Sequence, residues 1–283
     1  MKKDLLLYKR SSIGYCRFGH GPKQVVCFHG YGEQAMIYTF LEKYAGNEYT
    51  FLSIDLPFHG DTKWDEGQDF SHTDLQQIIH EILLEHNHRS LPADTDPGSL
   101  GSLKLSLIGF SLGGRVALSL YQAWPSTIEK LVLLAPDGLT VNFWYWLSTR
   151  TWFGNRLFAF TMNHPSWFLG FLRLMHKVGF VNTSILKFVN YYIEDKPARL
   201  LLYNRWTTLR SLKPNLKRIR SYISLHKTQT RLVYGKYDRI ILPVRGEAFK
   251  KGIETYCTLN TIDSGHQVLH EKHAAEIVQS LMH

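Results

Sequence analysis

Short apolar runs alternate with longer stretches whose apolar positions recur every three to four residues. The runs predict strands near 3–8, 12–18, 24–28, 49–54, 104–108, 130–134, 230–234 and 255–261. The longer stretches predict helices near 34–45, 73–87, 113–123, 244–252 and 271–282. Strands that alternate with helices imply an α/β fold, with an eight-stranded, mostly parallel sheet covered by helices on both faces. The stretch 89–101 carries Pro92, Asp94, Asp96, Pro97, Gly98 and Gly101 and predicts a surface loop. Between the strands at 130–134 and 230–234 the alternation breaks. There the pattern predicts an inserted helical cap at 138–225, with the core formed by 1–137 and 226–283.

The punctuation between these elements carries the chemistry. The run Leu105–Ile108 meets Gly109-Phe110-Ser111-Leu112-Gly113, and an amphipathic stretch begins at once. This is G-x-S-x-G between a strand and a helix. A strand that reverses into a helix within one residue forces that residue into strained backbone angles, and a Cβ on either flank would collide with the turn. The serine hydroxyl is then held at the end of the sheet, beside the amides of a helix N-terminus that favour an oxyanion. Gly114 adds a second small residue where the helix packs closely.

Three further segments follow in matching order. His29-Gly30-Tyr31-Gly32 follows the strand Val25–Phe28 and suits an oxyanion loop, with the Tyr31 and Leu112 amides as donors. Asp238 follows the strand Arg231–Tyr234, and His266 follows the last strand. The chain order Ser111, Asp238, His266 is that of the α/β-hydrolase fold. Asp137, at the end of the preceding strand, is a rival acid.

On these motifs the chain resembles the α/β-hydrolases over nearly its whole length. His29-Gly30-Tyr31-Gly32 with Gly109–Gly114 looks closest to small capped carboxylesterases of the pimeloyl-acyl-carrier-protein methyl esterase kind. The segment Asp55-Leu56-Pro57-Phe58-His59-Gly60-Asp61-Thr62 stands where relatives usually have Asp-x-Pro-Gly-x-Gly-x-Ser, so Phe58 replaces a glycine. The resemblance implies a serine hydrolase of carboxylic esters that works through an acyl-enzyme and needs no cofactor or metal. Thioester hydrolysis, C–C bond hydrolysis and acyl transfer use the same triad, and a hydrolase scaffold can also serve as a non-catalytic binding protein. Tyr31, Phe110, His29, Trp144 and Phe160 are the expected substrate-binding residues.

Composition sharpens the picture of the cap. It holds 18 of the 38 aromatic residues, and 13 Lys and Arg against only Glu194 and Asp195. Its balance is thus +11, the remainder of the chain is −2, and the two give the net +9. An aromatic lid supplies apolar wall for an acyl chain, at ~0.8 kcal/mol per buried CH₂. The positive charge suits a solvated face, an acidic carrier protein or an anionic surface. No nucleic-acid motif accompanies it. The N-terminus has only three consecutive apolar residues and no run of 18 exists, so neither a signal peptide nor a membrane span is expected. Cys16, Cys27 and Cys257 fall in strands with no metal or redox spacing, which suits reduced thiols in the cytoplasm.

Overall fold

The computed structural model describes residues 2–88, 104–140, 143–180, 189 and 193–282. The expected loop at 89–101 lies outside them. The chain divides into two compact units, one of Met1–Glu66, Ser71–Thr140 and Leu212–His283, the other of Gly67–Phe70 and Val141–Ser211.

All eight expected strands are present in the first unit. They are β1 (Lys2–Tyr8), β2 (Ser11–Phe18), β3 (Lys23–Phe28), β4 (Tyr49–Ile54), β5 (Leu105–Phe110), β6 (Ile128–Leu134), β7 (Gln229–Gly235) and β8 (Cys257–Ile262). They form one sheet in the order β1-β2-β4-β3-β5-β6-β7-β8. The β1–β2 and β2–β4 pairs are antiparallel, and all later pairs are parallel. Every residue of β4 and β5 is buried, as a parallel sheet covered on both faces requires. The three cysteines are free and buried in this sheet. Burial pushes the Cys16 thiol up to about 11 and the Cys257 thiol up to about 12, so both stay protonated.

The helices of this unit are α1 (Leu41–Ala45), α2 (His72–His88) and α3 (Leu112–Ala123), then, beyond the second unit, Leu216–His226, Pro243–Lys250 and Ala274–Met282. The expected helix at 34–45 splits into a 3₁₀ turn (Ala35–Tyr38) and α1. Its first half is tied to the sheet instead, because Tyr38 Oη donates to Phe28 O at 2.8 Å and the Ala35 amide donates to Asp55.

Leu216–His226 corrects the expected cap boundary. It was expected in the cap, yet it belongs to the first unit. Ile219 and Ile223, one turn apart, are fully buried, and Gln122 of α3 accepts the Asn215 amide at 2.6 Å. Lys213, Lys217, Arg218 and Arg220 therefore belong to the core unit, which divides the positive charge between the two units.

The second unit contains α4 (Phe143–Arg150), α5 (Trp152–Asn163), α6 (Ser166–Lys177) and α7 (Lys196–Thr208). With these named, the three remaining helices are α8 (Leu216–His226), α9 (Pro243–Lys250) and α10 (Ala274–Met282). Thr151 caps α5 by accepting the Gly154 amide at 3.0 Å, and Asp195 caps α7 by accepting the Ala198 amide at 2.8 Å. Met162, Leu169 and Ile193 form its small core, flanked by Phe158, Phe168 and Tyr203. Arg199 is buried here and spends its guanidinium on the carbonyls of Met162, Ile193 and Glu194. Those carbonyls satisfy a charge that would otherwise be costly to bury.

Candidate active site

Five parallel strands deliver the predicted residues to one end of the sheet. Phe28 pairs with Gly109, Phe110 with Leu134, Leu134 with Val233, and Gly235 with Ile262. The segments that follow β3, β5, β6, β7 and β8 therefore leave together, at the carboxyl edge where open α/β sheets hold their sites.

Ser111 has φ 52° and ψ −115°, a conformation that costs about 1–3 kcal/mol for a residue with a side chain. Three backbone bonds hold it there. Its amide donates to Leu134 O at 2.9 Å, and its carbonyl accepts the amides of Gly114 (2.9 Å) and Asp137 (2.8 Å). The flanking glycines are sterically required. A Cβ on Gly109 would lie 2.4 Å from Gly113 O, one on Gly113 1.9 Å from Phe28 O, and one on Gly114 2.4 Å from Pro136 Cβ.

Asp238, His266 and Ser111 form a continuous relay. His266 Nδ1 lies 2.8 Å from Asp238 Oδ2, and His266 Nε2 lies 3.0 Å from Ser111 Oγ. A carboxylate can only accept, so Nδ1 carries the proton and Nε2 is left to accept from the serine hydroxyl. The Asp238 side chain is fully buried, and its Oδ1 accepts the amides of Ile240 (2.8 Å) and Ile241 (3.0 Å). The acid and histidine loops are laced together by Lys236 N to Ile262 O (2.8 Å) and Tyr237 N to Ser264 O (2.9 Å). A Cβ on Gly235 would meet Gly265 O at 1.8 Å, so the close approach of the two loops depends on glycine there. The Phe110 ring packs against His266, with centroids 5.5 Å apart. Asp137 takes no part in the relay: its Oδ2 lies 3.2 Å from Arg115 Nε and its Oδ1 accepts the Gly138 amide.

The Leu112 amide opens α3, where the first turn lacks intrahelical acceptors. The Tyr31 loop sits against the elbow, since a Cβ on Gly30 would lie 3.1 Å from the Phe110 ring. Glu33, which pattern reading missed, braces that loop. Its Oε2 accepts the Gly30 amide at 2.9 Å and its Oε1 accepts from Gln267 Nε2 at 3.0 Å, one residue past His266. Burial raises the Glu33 carboxyl above its ordinary range, against the pull of these two bonds. The signal for it in sequence is only a carboxylate three residues after Gly30.

Several expected substrate-binding residues hold other positions. His29 is fully buried. Its Nδ1 donates to Gly30 O at 2.8 Å and its Nε2 accepts the Leu56 amide at 3.1 Å, so it is a neutral strut inside the loop rather than a pocket wall. Phe110 is buried beneath His266. Tyr31 is half-buried, with its ring edge-on to His59 at 5.9 Å. Phe160 is solvent-exposed on α5 and packs on His164 at 5.0 Å. The Trp144 side chain lies outside the described residues. Phe58 has φ 62°, so the backbone keeps the left-handed turn that the glycine of relatives would make without strain. Among the described residues, no cluster of three or more His, Cys, Asp or Glu could hold a metal ion, and no helix is long and apolar enough to cross a membrane.

The sequence matches the alpha/beta hydrolase family over residues 25–280. It is 28% identical over 124 residues to a pimeloyl-[acyl-carrier protein] methyl ester esterase of Aeromonas salmonicida, a match covering 44% of this chain and 41% of that one. The chain thus spans about two-fifths of the length of that curated relative. A thermophilic esterase from Thermogutta terrifontis superposes with a TM-score of 0.64 at 14% identity, covering 100% of this chain and 98% of the other. The thioesterase domain from the curacin biosynthetic pathway superposes with a TM-score of 0.58 at 18% identity, covering 99% of each chain. These two likenesses concern the fold alone. Taken with the matched span, the strand order and the glycine-flanked serine turn, they have one reading: the chain belongs to the alpha/beta hydrolase family.

Proposed function

We propose that the protein is a serine hydrolase that cleaves carboxylic esters through an acyl-enzyme intermediate. The observation that carries this reading is the Asp238–His266–Ser111 hydrogen-bond relay at 2.8 and 3.0 Å. A free serine hydroxyl is a poor nucleophile, so His266 Nε2 takes its proton as Oγ attacks the ester carbonyl carbon. Asp238 holds the Nδ1–H tautomer and stabilises the imidazolium without itself becoming protonated. The Tyr31 and Leu112 amides donate to the developing oxyanion, each such donor contributing ~2.7–4 kcal/mol to the barrier reduction. The tetrahedral intermediate collapses as His266 returns the proton to the leaving alkoxide. Water then repeats the sequence on the acyl-enzyme and releases the acid.

Esters are the first substrate class because the 28%-identical relative is a methyl ester esterase. Buried, protonated thiols fit a reducing compartment such as the cytoplasm. A fluorophosphonate probe is expected to label Ser111 alone, as read by peptide mass spectrometry. Ser111→Ala should lose at least ~10⁴-fold in kcat with an unchanged melting temperature. An adduct at another residue, or no adduct on folded protein, refutes the proposal. A turnover panel of esters and thioesters of varied acyl length then separates ester from thioester hydrolysis.

A further inference from the structure

The outward faces of α5 and α6 invert the usual rule. On a helix packed at the surface, the apolar stripe faces the core and the polar side faces water. On α5 the water-facing positions are Trp152, Phe153, Arg156, Leu157, Phe160 and Asn163, with Trp152 73% and Phe153 70% exposed. These fall at i, i+1, i+4, i+5, i+8 and i+11, which is one side of a helix, and four of the six are large and apolar. On α6 the exposed apolar positions Trp167, Phe171 and Leu174 recur at i, i+4 and i+7, with Phe171 52% exposed, and Val178, just past the end of the helix, is exposed as well. The inward sides, with Met162, Leu169 and Leu172 buried, are apolar as well, so packing of the unit's own core does not account for the outer stripes.

The charge on these helices is of one sign. Residues 143–180 contain Arg150, Arg156, Arg173 and Lys177 and no Asp or Glu. Arg156 lies over the Trp152 ring at 4.9 Å, so its cation is carried on the apolar face itself. Arg173 and Lys177 flank the stripe of α6, with Arg173 3.8 Å from Glu194 of the following segment. Exposed Trp and Phe with Arg and Lys beside them, on helices of 12 residues each, make a surface that lies on a bilayer rather than one that spans it.

From this we infer that α5 and α6 dock the protein on an anionic phospholipid surface. The aromatic side chains enter the acyl boundary while the arginines and lysine meet the headgroups. A second copy of the chain is the poorer occupant, because a self-pairing face would set cation against cation with no carboxylate in 143–180 to relieve it. A hydrophilic acidic carrier protein would answer the charge but leave the aromatic stripes in water. The inference stands on the second unit alone and is independent of the reaction proposed above.

The test is co-sedimentation of the whole protein with phosphatidylcholine vesicles, with or without about a quarter phosphatidylglycerol. The protein is expected to partition onto the anionic vesicles and to stay in solution with the neutral ones. A Trp167→Ser, Phe171→Ser, Leu174→Ser variant should lose at least ~10-fold in vesicle affinity. An Arg156→Glu, Lys177→Glu variant should lose the preference for anionic lipid, with a similar fall in affinity. Circular dichroism melts check that each variant is folded, and should one fail to fold the other still reads the proposal. Absence of binding to anionic vesicles overturns it. So does binding by both variants as tight as that of the parent protein, a dimer that the serine variant dissociates, or capture of an acidic carrier protein by a face that vesicles leave unoccupied.

Discussion

Arg115 of α3 holds Asp137 through a 3.2 Å Nε–Oδ2 contact, while the Asp137 amide donates to the Ser111 carbonyl at 2.8 Å. The two acids that follow neighbouring strands are thereby given different work. Asp137 fastens the elbow through its amide and its arginine partner, and Asp238 faces the histidine. Asp238→Asn should therefore lower kcat ~10³–10⁴-fold with little change in KM, because an amide can stabilise the wrong imidazole tautomer. Asp137→Asn should keep kcat within a few-fold and lower the melting temperature slightly. Steady-state kinetics on both variants decide the assignment, and the reverse pattern would move the acid to the earlier strand.

Glu33 links the oxyanion loop to the histidine loop through Gly30 and Gln267. It reaches no reacting atom, so it is a positioning residue. Glu33→Ala should leave the Gly30 amide without its acceptor and lower kcat about tenfold at nearly constant KM. Glu33→Gln keeps an acceptor for that amide and should recover most of the loss. A purely structural role would instead lower the melting temperature of the alanine variant and leave the kcat of its folded fraction intact.

The sheet and the relay could be read in the sequence because each rests on local chemistry. β5 is apolar up to Gly109 except for Ser106, and the glycines around Ser111 follow from contacts below 2.5 Å that no side chain survives. The mostly parallel sheet follows from the alternation of strands and helices, and the triad order from chain order. What escaped was decided by tertiary partners. His29 read as a pocket residue because a histidine beside a glycine loop looks functional, yet Leu56 and Gly30 take both its nitrogens. The cap limit at 225 follows the break in strand–helix alternation, and only the burial of Ile219 and Ile223 shows which unit holds α8. Glu33 carried no motif at all, since its second partner lies 234 residues away.

Two glycines offer a contrast in stability. A Cβ on Gly113 would sit 1.9 Å from the Phe28 carbonyl, a backbone atom in the centre of the sheet that has no room to retreat. Gly113→Ala should cost 3 kcal/mol or more, on the order of the worst overpacking changes. Gly170, inside α6, has nothing within 4 Å of its Cβ position. Gly170→Ala should stabilise by about 0.5–1 kcal/mol by lowering the entropy of the unfolded chain. Urea denaturation of both variants checks the opposite signs.

Acid sensitivity should centre on Asp74, in the first turn of α2. Its Oδ1 accepts from Lys9 Nζ at 2.7 Å and from Tyr8 Oη at 2.8 Å, while its Oδ2 accepts from the Ser71 amide at 3.0 Å and the Ser71 hydroxyl at 2.6 Å. Burial by itself would raise this carboxyl, but the bonds from Lys9, Ser71 and Tyr8 outweigh it and bring it from 3.8 to about 2. A carboxyl depressed in the folded state adds stability that is complete above its unfolded value and disappears as the pH falls through its folded one. The window is therefore pH 4 to 2, and the contact that fails joins the end of β1 to α2. Glu33 and Asp55, both raised by burial, act with the opposite sign: their protonation in acid favours the folded state. Lys9 is half-exposed, so solvent screening holds the Asp74 contribution to about 1 kcal/mol. In thermal melts, Asp74→Asn should unfold a few degrees below the parent protein at pH 7, and the gap should close as the pH approaches 2. A gap that stays constant from pH 7 to 2 would mean that Asp74 stabilises the α2 terminus as a neutral cap and that its charge contributes nothing.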